Sequence, residues 1–246
     1  MTVIVKALEG LPTFARGDDI AAIITPALGH LTWPDGSVGP RAGDMVVIAS
    51  KIVARAEGRL IAAKDREEAI EAETVREVAR RENPDGTVMR IVETHHGLVL
   101  AAAGVDTSNV PPGTALLLPE DPDASARAIR RGIYARFAMP MGVIITDTVG
   151  RPWRRGIADI AIGAAGIQPL HDLRGETDDA GATLHATIRN IADEIAAAAD
   201  LAKGKIGGRP VAVVRGVEEH VLEVEGPGAK AIHRSAEEDL FRRGGA

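Results

Sequence analysis

Cysteine is absent from the 246 residues. That excludes a disulfide framework, a thiolate metal site, an iron–sulfur cluster and a cysteine nucleophile. Aromatic residues are 2% of the chain: Trp33, Trp153, Tyr134, Phe14, Phe137 and Phe241. So few rings do not build a platform for stacking bases. Long hydrophobic runs are also missing. Leu98–Val105 and Ile160–Ile167 are far shorter than the roughly 20 residues of a membrane span. The first residues lack a basic stretch followed by an apolar one, so no signal peptide is read there. Positive charge is not in excess: Lys+Arg is 29 against 35 Asp+Glu, a net charge of -6. A partner of the nucleic-acid backbone would ordinarily be basic. The phosphate-loop and dinucleotide glycine signatures are absent, as are the zinc-protease and nucleophile-elbow motifs. The expectation is a cytoplasmic protein with no membrane and no nucleic-acid partner.

What is present is ordinary globular composition, 45% hydrophobic and 26% charged, with 27 glycines. No internal repeat or linker divides it, so residues 1–246 are read as one domain. Strands are expected at Thr2–Ala7, Met45–Ala49, Val88–Ile91, Leu98–Ala102, Gly142–Thr146 and Val211–Arg215. Ile52–Ala54 reads as a continuation of the second. A short helix from Ile20 to Ile24, capped by Asp18, is expected to stop near Pro26. The charge-rich stretch Arg66–Arg81 reads as an exposed helix. Asp121-Pro122 opens another that runs to about Phe137. Leu184, Ile188, Ile191, Ile195 and Ala199 are spaced for the longest helix, ended by Gly204. This irregular mixture favours an α+β arrangement over a doubly wound sheet.

Three segments carry candidate chemistry. In Ala103–Val110 a carboxylate, two hydroxyls and an amide follow an apolar strand, although the same residues suit an Asx turn. In Ile144–Gly156 a strand delivers Asp147 and Thr148, and Arg151, Arg154 and Arg155 follow. An acid that holds a divalent metal beside guanidiniums that clamp phosphate oxygens is one reading, and a solvated loop is the other. If their strands are neighbours, Asp106 and Asp147 make a two-carboxylate site of the kind magnesium or manganese uses with substrate phosphates. Gly204–Pro210 offers glycines with Lys205 and Arg209 near an anion, or a plain helix-to-strand connection. His95 and His96 lack a spaced third ligand and read as structural.

A series of short segments resembles the coenzyme F420-0:γ-glutamyl ligase family. They run from Glu9-Gly10-Leu11-Pro12 and Gly17-Asp18-Asp19 through Ser50–Val53 and Ala56–Arg59. The central blocks are His96–Val99, Ala103–Asp106 with Ser108–Val110, Leu118–Asp123 and Ile145–Thr148. Ala192–Ala196, Val213–Gly216 and Asp239–Phe241 complete the series. The resemblance implies an α+β fold of two interleaved subdomains in an intertwined homodimer. It implies transfer of the GTP γ-phosphate to the carboxylate of coenzyme F420-0, attack by L-glutamate on the acyl phosphate, and further γ-linked glutamates. By resemblance, Asp106 and Asp147 bind a divalent metal, Mg2+ or Mn2+. Thr148 falls beside a second such ion, with K+ a further candidate. Leu11, Pro12, Thr13, Phe14, Ser50, Lys51, Arg55 and Asn109 match nucleotide-binding positions, as do Gly204, Lys205, Gly207 and Gly208. Asp106, Asp147 and Arg151 are the expected catalytic residues.

Two departures stand out. Arg55 replaces a lysine that many members have. The late loop is Gly-Lys-Ile-Gly-Gly, where some members have an acidic or amide residue that helps hold the second metal. No fused nitroreductase-like domain is expected. The alternatives are a ligase of the same fold acting on another carboxylate, or a non-catalytic deazaflavin- or nucleotide-binding module.

Overall fold

Continuous apolar runs bury both faces of a strand, and Met45–Ile48, Gly142–Ile145, Ala161–Ala165 and Val211–Val214 are buried throughout. The computed structural model describes residues 2–240. In chain order its elements are β1 (Ile4–Ala7), α1 (Ile20–His30), β2 (Met45–Ala49), α2 (Ser50–Glu57), β3 (Leu60–Ala62), α3 (Arg66–Glu73), β4 (Thr74–Glu82), β5 (Val88–Thr94) and β6 (Val99–Ala101). They continue with β7 (Thr114–Leu116), α4 (Pro122–Phe137), β8 (Gly142–Gly150), β9 (Ile157–Ala165), β10 (Leu170–Asp172), β11 (Ile188–Asn190), α5 (Ile191–Lys203) and β12 (Val211–Arg215). The main sheet has the order β1-β12-β2-β8-β9, and β2–β8 is its parallel pair.

Alternation along these strands sorts side chains into two layers. Val46, Ile48, Val143, Ile145, Val211 and Val213 meet Ile24 and Leu28 of α1 and Ile129 and Ile133 of α4. Met45, Val47, Ile144, Ala212 and Val214 face the opposite way, onto Ile191, Ile195 and Ala199 of α5. Gly163 in β9 is where α4 comes closest. A Cβ there would stand 2.4 Å from Pro122 O. A third, smaller core of Ile70, Val92, Ala103, Val105 and Ala115 joins α3 to the sheet β4-β5-β6 and the pair β3-β7. The mixed α/β architecture, with several sheets and five helices among the described residues, agrees with the α+β expectation.

The departures have local causes. α1 runs through Pro26 to His30 instead of stopping. Proline removes the N–H that would reach Ala22 O, and the Thr25 hydroxyl donates to that carbonyl instead, at 3.4 Å. The cap is Asp19, which accepts the Ala22 N–H, while Asp18 accepts from Ala15 N. Ile52–Ala54 lies in helix α2, not strand. The Arg66–Arg81 helix ends at Glu73. Beyond it β4 pairs with β5, held by Arg76–Glu93 and Arg90–Glu77 ion pairs. Charges expected on a solvated helix face are therefore cross-strand partners. Strand β8 continues past Thr146 to Gly150, paired with β9, which takes in most of the short apolar run Ile160–Ile167. The last helix begins at Ile191, because Ile188 lies in β11, paired with Asp172 of β10, and α4 is the longer helix. Phe241 lies outside the described residues. No described helix is long and apolar enough to cross a membrane.

Candidate active site

The carboxyl ends of parallel neighbours are where a sheet opens a crevice, and β2 ends beside the middle of β8, with Ala49 opposite Thr146. Helix α2 starts immediately after β2. The end of α5 and the loop to β12 close the other side. Between them lies a cavity of about 480 Å³. Its wall includes Leu11, Pro12, Thr13 and Phe14, then Ser50, Lys51 and Arg55. Asn109, Asp147, Thr148, Gly204, Lys205 and Gly208 complete the expected set there. An adjoining cavity of similar size shares Lys51, Asn109, Asp147, Thr148 and Lys205 and is walled by Asp106 and Ser108. The two aspartates therefore share a cavity wall, although their segments are not paired strands: Asp106 bridges to Leu116 of β7, and Asp147 lies in β8 between β2 and β9. Two expected residues are not on either wall. Gly207 packs beside Arg209, whose Nε would stand 2.8 Å from a Cβ there. Arg151 is exposed on the β8–β9 turn with Arg154 and Arg155.

Strand alternation divides the polar groups between the two faces of β8. Asp147 points toward α2, where Ser50 Oγ donates to its Oδ1 at 2.8 Å. Burial pushes this carboxyl up to about 6, against those hydrogen bonds, and the charges of Asp159 and Asp106 add to the rise. Thr146 and Thr148 point the other way and donate to Asp159, at 2.8 Å (Oδ2) and 2.6 Å (Oδ1). Lys203 Nζ donates to Oδ2 at 2.7 Å and Lys205 Nζ to Oδ1 at 2.9 Å. Each oxygen of Asp159 thus takes one hydroxyl and one ammonium. Burial opposes its ionisation, but the lysines and hydroxyls hold it well below the usual carboxylate range. Burial lowers the pKa of Lys203.

Asp106 is fixed through its backbone. Its N–H and C=O pair with Leu116 at 2.9 and 2.8 Å. Its side chain takes the Ser108 N–H at 2.7 Å, the expected Asx turn, and also the Lys51 ammonium at 2.7 Å. Burial opposes the effect, but Lys51 and Ser108 lower its pKa. Turn and site are one arrangement. Arg55 donates to the carbonyl of Asn109, whose φ of 54° is a left-handed conformation that asparagine tolerates. Arg209 lines the cavity, and its Nε, packed beside Gly207, is buried without a hydrogen-bond partner. His95 and His96 bond the carbonyls of Ala72 and of Pro119 and Glu120, so both are structural.

Sequence reasoning passed over Thr146, Asp159, Asp200 and Lys203, all on the cavity wall. A visible signal was available: Asp159 interrupts the apolar strand Ile157–Ala165, where a charge needs a partner. Among the described residues no three carboxylate or histidine side chains form a ready metal cage. Asp106 and Asp147 nevertheless fit one divalent ion completed by substrate phosphates. Burial, more than the neighbouring carboxylates, raises Asp147, and a cation bound there would offset both.

A cleft that gathers carboxylates, lysines and arginines beside strand ends has the charged groups of an enzyme site for anionic substrates. Residues 10–216 match the F420-0:gamma-glutamyl ligase family, and the chain belongs to it. It is a ligase. A coenzyme F420:L-glutamate ligase of Methanothermobacter thermautotrophicus is 37% identical over 98% of this chain and 100% of its own. One of Methanopyrus kandleri is 40% identical, covering 92% of each chain, and one of Archaeoglobus fulgidus is 38% identical, covering 99% and 98%.

Proposed function

We propose that this protein joins L-glutamate to the carboxylate of coenzyme F420-0 at the expense of GTP, and that it extends the product with γ-linked glutamates. The names of its relatives support the glutamate acceptor chemistry. The observation that carries the nucleotide part is the cavity wall itself, where Lys51, Arg55, Lys205 and Arg209 gather around one space. Lys51, Arg55 and Arg209 on one wall give a polyanion charge-assisted hydrogen-bond donors.

In this reading Lys51, Arg55 and Arg209 hold the phosphates, with Leu11–Phe14 and Asn109 beside the nucleoside. Asp106 and Asp147 would hold one Mg2+ or Mn2+, which supplies charge neutralisation on the phosphate oxygens when bound. Ser50 orients Asp147 by its hydrogen bond. The substrate carboxylate attacks the γ-phosphorus and GDP departs, leaving an acyl phosphate. The glutamate amine then attacks the acyl carbon, releasing phosphate and forming the amide. Both steps bring anions together, and the lysines and arginines of the wall lower that repulsion. The enzyme acts as a homodimer in this reading.

The test is an end-point assay by mass spectrometry with coenzyme F420-0, L-glutamate, GTP and Mn2+. ATP replaces GTP in one control, and excess chelator removes the metal in another. A GTP- and metal-dependent gain of one or more glutamyl masses is expected. No gain from folded protein that binds GTP would point to another carboxylate acceptor. Turnover that survives exhaustive chelation would remove the metal from the mechanism.

A further inference from the structure

Three oxygens from three elements converge on one point beside the cavity: Thr148 of β8, Asp159 of β9 and Asp200 of α5. The Lys205 ammonium fills that point, at 2.7 Å from Thr148 Oγ1, 2.9 Å from Asp159 Oδ1 and 2.7 Å from Asp200 Oδ1. An ammonium has three donors, and all three are used. A hydroxyl and two carboxylates around one centre are what a bound cation would receive. Here the chain supplies the cation itself.

We infer that Lys205 is a tethered substitute for the second metal ion, so that each site takes one divalent cation, held at Asp106 and Asp147. The inference rests on the GTP-dependent ligase reading above and deepens it.

Charge bookkeeping separates the two positions. Around Asp159 the two carboxylates, Asp159 and Asp200, already face two ammoniums, Lys203 and Lys205. A divalent ion added at Thr148 would meet a balanced cluster and an ammonium at contact distance, where like charges repel strongly. Asp147 is different: its donors, Ser50 Oγ and the Thr148 N–H, are neutral. Asp106 carries one ammonium, Lys51, but that pair is partly exposed and Lys51 is a single charge against two carboxylates, so an ion bound there displaces no buried pair.

The local sequence explains how the substitute is placed. Residues two apart on a helix do not face the same way. Lys203 and Lys205 nevertheless reach the same carboxylate, because Gly204 between them ends α5 at φ 64°. The two lysines also sit at the negative end of the α5 dipole, which favours cations. Lys-Gly-Lys thus folds into a clamp on Asp159. This accounts for the missing acidic or amide ligand in the late loop: its place is held by an ammonium that cannot dissociate. K+ has no vacancy beside Thr148 for the same reason.

The experiment counts ions. Free Mn2+ is followed by electron paramagnetic resonance while it is titrated into the full chain with an equimolar, non-hydrolysable GTP analogue. One ion per chain is expected for the wild type. Lys205→Gln removes the charge and offers an amide oxygen, and two ions per chain are expected. Lys205→Glu serves as the second variant and also gives two. Thermal melts establish that each variant is folded. Two ions bound by the wild type would overturn the inference, as would a count of one in all three proteins. No ion at all, with no binding of the analogue, would sink the ligase reading itself.

Discussion

Lys51 and Asp106 face each other at 2.7 Å where the two cavities meet, and they come from different cores. Lys51 stands on α2 beside the main sheet, and Asp106 on the loop tied to β7. Both are partly exposed, so the pair itself contributes little stability, about 1 kcal/mol or less. Its value lies in a cation poised where phosphates would enter. Lys51→Met is expected to keep its melting temperature within a degree or two while weakening GTP binding about tenfold or more. Calorimetric titration with GTP checks this, and unchanged affinity would take Lys51 out of the nucleotide site.

Asp147 costs the fold stability near neutral pH. Its folded pKa is about 6 against the ordinary 3.8. A raised carboxyl favours the proton-bound native state, so stability contributed below pH 4 is lost as pH rises through 6. Asp147→Asn escapes that loss while keeping an oxygen for Ser50. With chelator present, the variant should match the wild type at pH 4 and exceed it at pH 7.5 by up to about 3 kcal/mol. The same variant should lose most turnover. Denaturant melts at the two pH values, with the activity assay, test both halves. A pH-independent difference would mean that Asp147 ionises freely.

Asp159 is the reverse case. Its side chain and that of Lys203 are 4% and 3% exposed. Removing one partner of a buried pair leaves the other charge uncompensated, a loss of roughly 3–5 kcal/mol. Asp159→Asn should therefore lower the melting temperature sharply. The double variant Asp159→Asn with Lys203→Met should recover part of the loss, since it buries no orphan charge. Failure of the second change to rescue the first would show that the pair is not the source.

Much of this was legible beforehand, unevenly. The strands Met45–Ala49 and Val211–Arg215 and the helix from Pro122 read directly, because apolar alternation and capping are local signals. The nucleotide and metal positions came from a resemblance, and the structure draws nearly all of them to one wall. Arg66–Arg81 misled because Glu and Arg at short spacing serve a helix face and a strand pair equally well. Which one wins depends on β5, remote in sequence until paired. Asp159 and Lys203 escaped notice for the same reason: each makes sense only opposite the other, 44 residues away.

The parallel neighbours β2 and β8 carry one last implication, for the order of events in folding. Everything from Ser50 to Met141 is a single excursion between two adjacent strands. The β8–β9 pair closes across a short turn and needs no such detour. Joining β2 to β8 must first overcome the closure entropy of the whole excursion. The crevice where Ser50 meets Asp147 is therefore among the last places the chain assembles, although its sheet partners are among the first available.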